Sequence, residues 1–343
     1  MLKASRATVL TMILLIVATL STVAAEQVNI QKVSYGGWQN CIRMTNGVLE
    51  LVVTTDVGPR VIKLAPTGGE NLMYENPAEL GKTGGNEWHG YGGHRFWIAP
   101  EQNPRSYHPD NTPVKYSIEG NTVKLMPGTE STNGMEKELD ITLVPNSNHV
   151  IVVHKLTNHN IWAVRASPWG LTVLRGDGQA IFPREPYAPH PGIPDFPGQK
   201  TDQKYFAPNQ ILALWSFSKL DDPRWQFTSK YVILKGDDKA KTPQKFGMSN
   251  TQSWVAYSRK DQLFVKKVMF QPGATYPDGG CNFESFTYTG IVELESLGPY
   301  DLIEPGNTVE HREDWYVFTG VKFQNTDASI DANVLPKVKT CFE

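Results

Sequence analysis

The chain is short of cysteine, of net charge and of helical periodicity, and each shortage removes a class of function. Three cysteines, Cys41, Cys281 and Cys341, are spread over 343 residues. No Cys-x-x-Cys pair occurs, so the spacing used by structural zinc sites is missing. At most one disulfide can form within the chain, and a Cys41–Cys341 bond tying the two ends together is the expected pairing. Lysine and arginine number 33 against 35 aspartates and glutamates. That balance gives no basis for nucleic acid or an anionic membrane as partner. No stretch sustains an apolar period of 3.6 residues, so long helices are not expected. There is no P-loop, no dinucleotide fingerprint, no His-Glu-x-x-His and no solenoid-scale repeat. No cofactor and no metal is therefore expected.

A long apolar run occurs at the N-terminus. Lys3 and Arg6 precede an apolar stretch from Val9 to Val17, and Val23-Ala24-Ala25 offers small residues for cleavage before Glu26. This pattern reads as a secretory signal peptide over 1–25, with one domain over 26–343. An uncleaved anchor is the alternative, because the run approaches the lower limit for spanning. The expected location is exported, periplasmic or extracellular, with no stable membrane insertion after cleavage.

What the chain has in quantity is turn residues and short apolar segments. Glycine numbers 29 and proline 24. Between turns lie segments such as Val48–Val53, Thr122–Met126, Met135–Leu143, His149–Asn158, Trp225–Leu234, Trp254–Ser258 and Leu263–Phe270. About fifteen such segments at short spacing predict an all-β sandwich. A Pro-rich excursion fills 182–209, and the tail after Phe318 is polar, with Val334-Leu335 able to pack on the body.

Two stretches carry candidate site residues. In Ile291–Leu297, Glu293 and Glu295 stand two apart, so on a strand they share one face. Two carboxylates on one face need a cation, water or a polar ligand between them. Upstream, the run from Trp88 to Glu101 is dense in glycine and aromatics. There His94 and Arg95 are adjacent, so on a strand they point opposite ways and only one faces a given cleft. His311, among charged neighbours, reads as a surface residue. A metal set drawn from His94, Asp110, Glu293 and Glu295 has no spacing motif behind it.

The run Leu294-Glu295-Ser296-Leu297, the Glu304-Pro305-Gly306 turn and the closing strand Trp315-Tyr316-Val317-Phe318 resemble the galactose mutarotase (aldose 1-epimerase) superfamily. Gly92–Glu101, Pro109-Asp110-Asn111 and Glu293–Pro299 look closer still to an uncharacterised bacterial family within it. The resemblance implies a large antiparallel β-supersandwich. It implies a glutamate base acting on an anomeric hydroxyl, which Glu295 matches. It also implies a histidine acid on a middle strand, where Trp169 stands instead; His94 is the remaining candidate. The catalytic candidates are thus Glu295 and His94, with Arg95, Glu293, Arg60, Trp97, Trp169 and Asp110 as substrate-binding candidates. The expected function is an exported carbohydrate-binding protein holding a sugar or glycan on a concave sheet face. An aldose 1-epimerase-type isomerase with Glu295 as base is the alternative. A polysaccharide lyase or glycoside hydrolase is a further one, although same-strand neighbours seldom place opposed carboxylates across a bond.

Overall fold

A computed structural model describes residues 28–187 and 208–343. The expected signal peptide and the 188–207 part of the Pro-rich excursion lie outside the described residues. In chain order the strands are β1 (Asn29–Tyr35), β2 (Trp38–Thr45), β3 (Leu49–Thr54), β4 (Arg60–Pro66), β5 (Gly93–Ala99), β6 (Lys115–Glu119), β7 (Thr122–Met126), β8 (Met135–Leu143), β9 (His149–Asn158) and β10 (Val164–Arg175). They continue with β11 (Gln179–Pro183), β12 (Leu212–Leu214), β13 (Trp225–Phe227), β14 (Tyr231–Lys235), β15 (Gln244–Met248), β16 (Trp254–Arg259), β17 (Gln262–Lys267), β18 (Phe283–Tyr288), β19 (Ile291–Leu297), β20 (Asp301–Ile303) and β21 (Thr308–Phe318). Two short helices, α1 (Asp327–Asn333) and α2 (Leu335–Thr340), close the chain.

The strands form two large sheets. The first runs β1-β2-β3-β4-β5-β10-β19-β18-β15-β12, with β20 also paired to β10; the second runs β13-β14-β11-β16-β17-β21-β9-β8-β7-β6. Alternation decides which residues lie between them. On β19, Val292 and Leu294 enter the shared core with Val53 and Val61 of the first sheet and Leu139, Val152, Phe264 and Trp315 of the second. Glu293 and Glu295 then point away from the core on the outer face of the first sheet. Each fully buried Val, Leu, Ile or Phe stabilises the stack by roughly 1.5–3 kcal/mol.

Two expectations need correction, and a third, that Val334-Leu335 packs on the body, holds in the form of helices. The Trp225–Leu234 segment is a hairpin, β13 and β14, turned by Thr228, whose Oγ1 accepts from Tyr231 N at 2.9 Å. The tail is helical, with Ile330, Val334 and Val338 packed on Ile181, Tyr231 and Trp254 on the outer face of the second sheet. Cys41 and Cys341 do not pair, and all three thiols are free. Cys41 packs with Trp38, Val52 and Tyr91 outside the first sheet, while Cys341 lies in the helical cluster outside the second. The sandwich stands between them. Burial pushes both thiols up to about 12.

Candidate functional site

Register places the outward residues in rows. Arg95 lies beside Leu171, Leu171 beside Glu295, and Glu295 beside Glu284. Trp97 pairs with Trp169, Glu293 with Phe286, and Phe286 with Lys245. Loop residues rise around this face and turn it into a cleft of about 380 Å³ lined by Trp88, Arg95, Trp97, Glu101, Tyr107, Trp169, Leu171, Trp215, Phe217, Lys245, Phe286, Ile291 and Glu293. The indoles support one another edge to face, with ring centroids 5.3 Å apart for Trp88–Trp97 and 5.5 Å for Trp97–Trp169. Such pairs contribute about 0.5–1.5 kcal/mol beyond their buried area.

Two cations serve this face. The Arg95 guanidinium carbon lies 4.4 Å from the Trp97 ring and 5.5 Å from that of Trp88. Its Nη1 donates to Glu293 Oε1 at 3.2 Å. Lys245 Nζ sits 4.8 Å from the Trp169 ring and 4.6 Å from that of Trp215. It touches Glu284 Oε2 at 2.9 Å and donates to Glu295 Oε2 at 3.2 Å. Trp169 Nε1 donates to the same Glu295 oxygen at 2.9 Å. Glu295 thus lies under Trp169 and Lys245, fully buried, rather than on the cleft wall.

One ammonium is shared between two buried carboxylates, and the electrostatics follow from that. Burial pushes the carboxyls of Glu284 and Glu295 up, against the pull of Lys245. Burial alone would lower Lys245, but Glu284 and Glu295 overrule it and hold the ammonium well above its ordinary range. Glu295 Oε1 and both Glu284 oxygens have no hydrogen-bond partner. The Lys245–Glu284 contact is therefore one of charge, off the hydrogen-bond direction.

His94 does not join this site. It points to the opposite face, into the sandwich, because it neighbours Arg95 on β5. Gly93, at φ 68°, precedes it where a Cβ would come within 2.3 Å of Val61 O. His94 Nε2 lies 2.8 Å from His154 Nε2, and its Nδ1 lies 2.9 Å from Thr172 Oγ1. The protons can be assigned. His154 Nδ1 is 3.0 Å from the carbonyl of His311, which can only accept, so Nδ1 carries the hydrogen. His154 Nε2 then accepts from His94 Nε2, and His94 Nδ1 accepts from Thr172. Ser296 donates to Glu313 and accepts from His311 Nε2 at 2.7 Å. Lys266 Nζ and Trp315 Nε1 donate to Glu313 at 3.0 and 2.6 Å.

Burial pushes His94 and His154 down, and His311 down to about 3, so all three are neutral. Burial alone would raise the Glu313 carboxyl, but the Lys266 ammonium beside it holds it below the usual carboxylate range. Ligand atoms of His94, His154 and Glu313 lie within 4.8 Å of one another, as a metal would require. Yet every ring nitrogen and both carboxylate oxygens already have partners, and Lys266 supplies the cation. This is a closed hydrogen-bond network, not a metal centre. His311, expected at the surface, belongs to it.

Of the substrate-binding candidates, Arg95, Glu293, Trp97 and Trp169 line the cleft. Arg60 and Asp110 do not. Arg60 Nη2 donates to Asp110 Oδ2 at 2.5 Å, and Arg60 lies 5.4 Å from the Tyr91 ring. With Arg60 almost fully buried, this is a structural pair that ties the 109–111 loop to β4. The metal set His94, Asp110, Glu293 and Glu295 is likewise dispersed. Lys245, Glu284, Tyr107 and Trp215 were not evident from sequence. The five residues of β15 are too few to show a period, and pairing of Glu284 with Glu295 depends on strand order.

No protein-family model matches the chain, and no curated protein sequence does. Solved structures do. A TPR-domain containing protein from Parabacteroides distasonis aligns at TM-score 0.55 and 15% identity over 83% of this chain; the chain spans 48% of that one. A protein from Synechocystis aligns at TM-score 0.50 and 11% identity, over 84% of this chain and 99% of its own. A galactose mutarotase-like protein from Lactobacillus casei aligns at TM-score 0.49 and 9% identity, over 81% and 100%. At these identities the likeness is one of fold. With the first two of these the chain shares a large antiparallel β-sandwich.

Proposed function

We propose that the chain binds a carbohydrate in the outer cleft of the first sheet. The observation that carries this is the composition of the cleft: four indoles, Trp88, Trp97, Trp169 and Trp215, beside the polar groups of Arg95, Lys245 and Glu293. An amphipathic ring offers both an apolar face for an aromatic and hydroxyls for charged donors and acceptors. Titration of intrinsic tryptophan fluorescence with a panel of mono- and oligosaccharides tests it. Trp97→Ala should weaken binding about tenfold, equivalent to about 1.4 kcal/mol. A flat response to every sugar, with the wild-type chain folded, would sink the reading.

Binding is favoured over isomerisation for two reasons. Among the described residues no histidine lines the cleft. Glu295 is covered by Lys245 and Trp169, so a general base there would first have to be uncovered. The observation on the other side is that burial raises the Glu295 carboxyl toward the range a general base needs. Polarimetry on aldoses separates the two, since interconversion by the wild type and its loss in Glu295→Gln would establish the isomerase. A lyase or hydrolase gains nothing from Glu293 and Glu295, each held by its own cation. We also propose that 1–25 directs export and is then cleaved; a product retained in the cytoplasm with Met1 in place would remove that proposal.

A further inference from the structure

Resting on the sugar-binding reading, we propose that the ligand is an acidic saccharide, a uronate whose carboxylate docks on Arg95. The Arg95 side chain is only 8% exposed, yet it lines the cleft. Among the described residues its Nη1 alone is used, in a single 3.2 Å bond to Glu293. Its Nε is buried with no partner. The free Nε–Nη2 edge is the side of a guanidinium that takes a carboxylate through two parallel bonds. Indoles of Trp88 and Trp97 stack beside the group, so its plane is held in place and the lost entropy of docking is small.

A second buried donor stands beside it. Trp88 Nε1 is also without a partner. An unpaired buried donor costs about 1–3 kcal/mol, so a ligand that supplies acceptors recovers that loss. Lys245 adds a positive group across the cleft, since only one of its three donors is spent on a hydrogen bond among the described residues, to Glu295. The carboxylates present do not oppose an anion strongly. Glu293 is paired with Arg95, and Glu284 and Glu295 share Lys245 below the surface. Glu101 stands exposed at the rim, bonded by the Tyr107 hydroxyl.

The experiment is calorimetric titration of the full chain with galacturonate and glucuronate against galactose and glucose, at low and high salt. The acid sugars should bind at least about tenfold tighter than their neutral parents, with the gap narrowing in salt. Arg95→Met should abolish the gap. Because that variant empties a stacked, buried position, Glu293→Gln serves as an independent test. It frees Nη1 and removes a negative charge, and should raise the ratio of uronate to neutral-sugar affinity; a lower ratio overturns the proposal. Equal binding of uronate and neutral sugar overturns the proposal but leaves the sugar site standing. Binding of galactose 6-sulfate more tightly than galacturonate overturns it in favour of a tetrahedral anion. Failure of every sugar, acidic or neutral, overturns it together with the site.

Discussion

Glu313 shows how much one buried side chain can hold in place. It is fully enclosed between the sheets and accepts from Lys266, Ser296 and Trp315. The backbone beside it accommodates the cluster, since a Cβ at Gly170 would lie 2.4 Å from Glu313 Oε1 and 3.0 Å from His154 Nε2. Gly170 therefore has a packing reason that no turn explains. Replacing Glu313 by Gln strands the Lys266 ammonium among carbonyls. Such a break costs about 3–5 kcal/mol, because the remaining charge has no counterpart. Urea denaturation of Glu313→Gln should show a midpoint lowered accordingly, with the slope of the transition unchanged. A change within about 0.5 kcal/mol, the usual span of a surface substitution, would mean the pair is not stabilising.

At the scale of elements, the strands with clear alternation were legible in the sequence. Met135–Leu143 and His149–Asn158 occur with the expected bounds as β8 and β9. β15 was not legible, because its five residues are buried throughout and carry no alternation. The terminal helices escaped for a similar reason. α1 and α2 have seven and six residues, under two helical turns each, and expose one apolar stripe only once packed. They matter nonetheless, as they cover the outer face of β11, β14 and β16. Ile330→Ala should cost about 2–4 kcal/mol by leaving a cavity against Ile181 and Tyr231. Thermal unfolding by circular dichroism measures it; an unaltered midpoint would show that the helices only rest on the body.

Across the whole molecule, two buried polar groups of opposite sign set the response to pH. His94, His154 and His311 are depressed by burial, His311 to about 3. Above about pH 6.5 they are neutral folded or unfolded and contribute nothing to the slope. Below it the unfolded chain binds protons that the fold refuses, so stability falls as pH falls from about 6.5 toward about 3. Glu313, also depressed, adds to the loss below the ordinary carboxylate range of about 4.5. Glu284 and Glu295 act the other way: raised by burial, they bind a proton in the fold first, which offsets part of the loss. The net slope below pH 6.5 should lie near 1–3 kcal/mol per pH unit. Urea midpoints between pH 8 and pH 5 measure it. Glu284→Gln removes an offsetting proton and should steepen the fall; a shallower fall would put the proton elsewhere.

The sequence by itself determined the parity of the site. Alternation placed Glu293 and Glu295 on one face and parted His94 from Arg95, because successive strand residues point oppositely whatever the partner strand is. It also marked Trp97 and Trp169 as candidates. Only the tertiary structure decided which face is the cleft and which is the core. That choice comes from stacking two sheets: the face carrying Val292 and Leu294 loses more water against a second sheet than the face carrying two carboxylates. His94 thereby fell on the closed side and Arg95 on the open one. Strand order then brought Lys245 and Glu284 to Glu295 across β18, a meeting between residues that are distant in the chain and that no local pattern encodes.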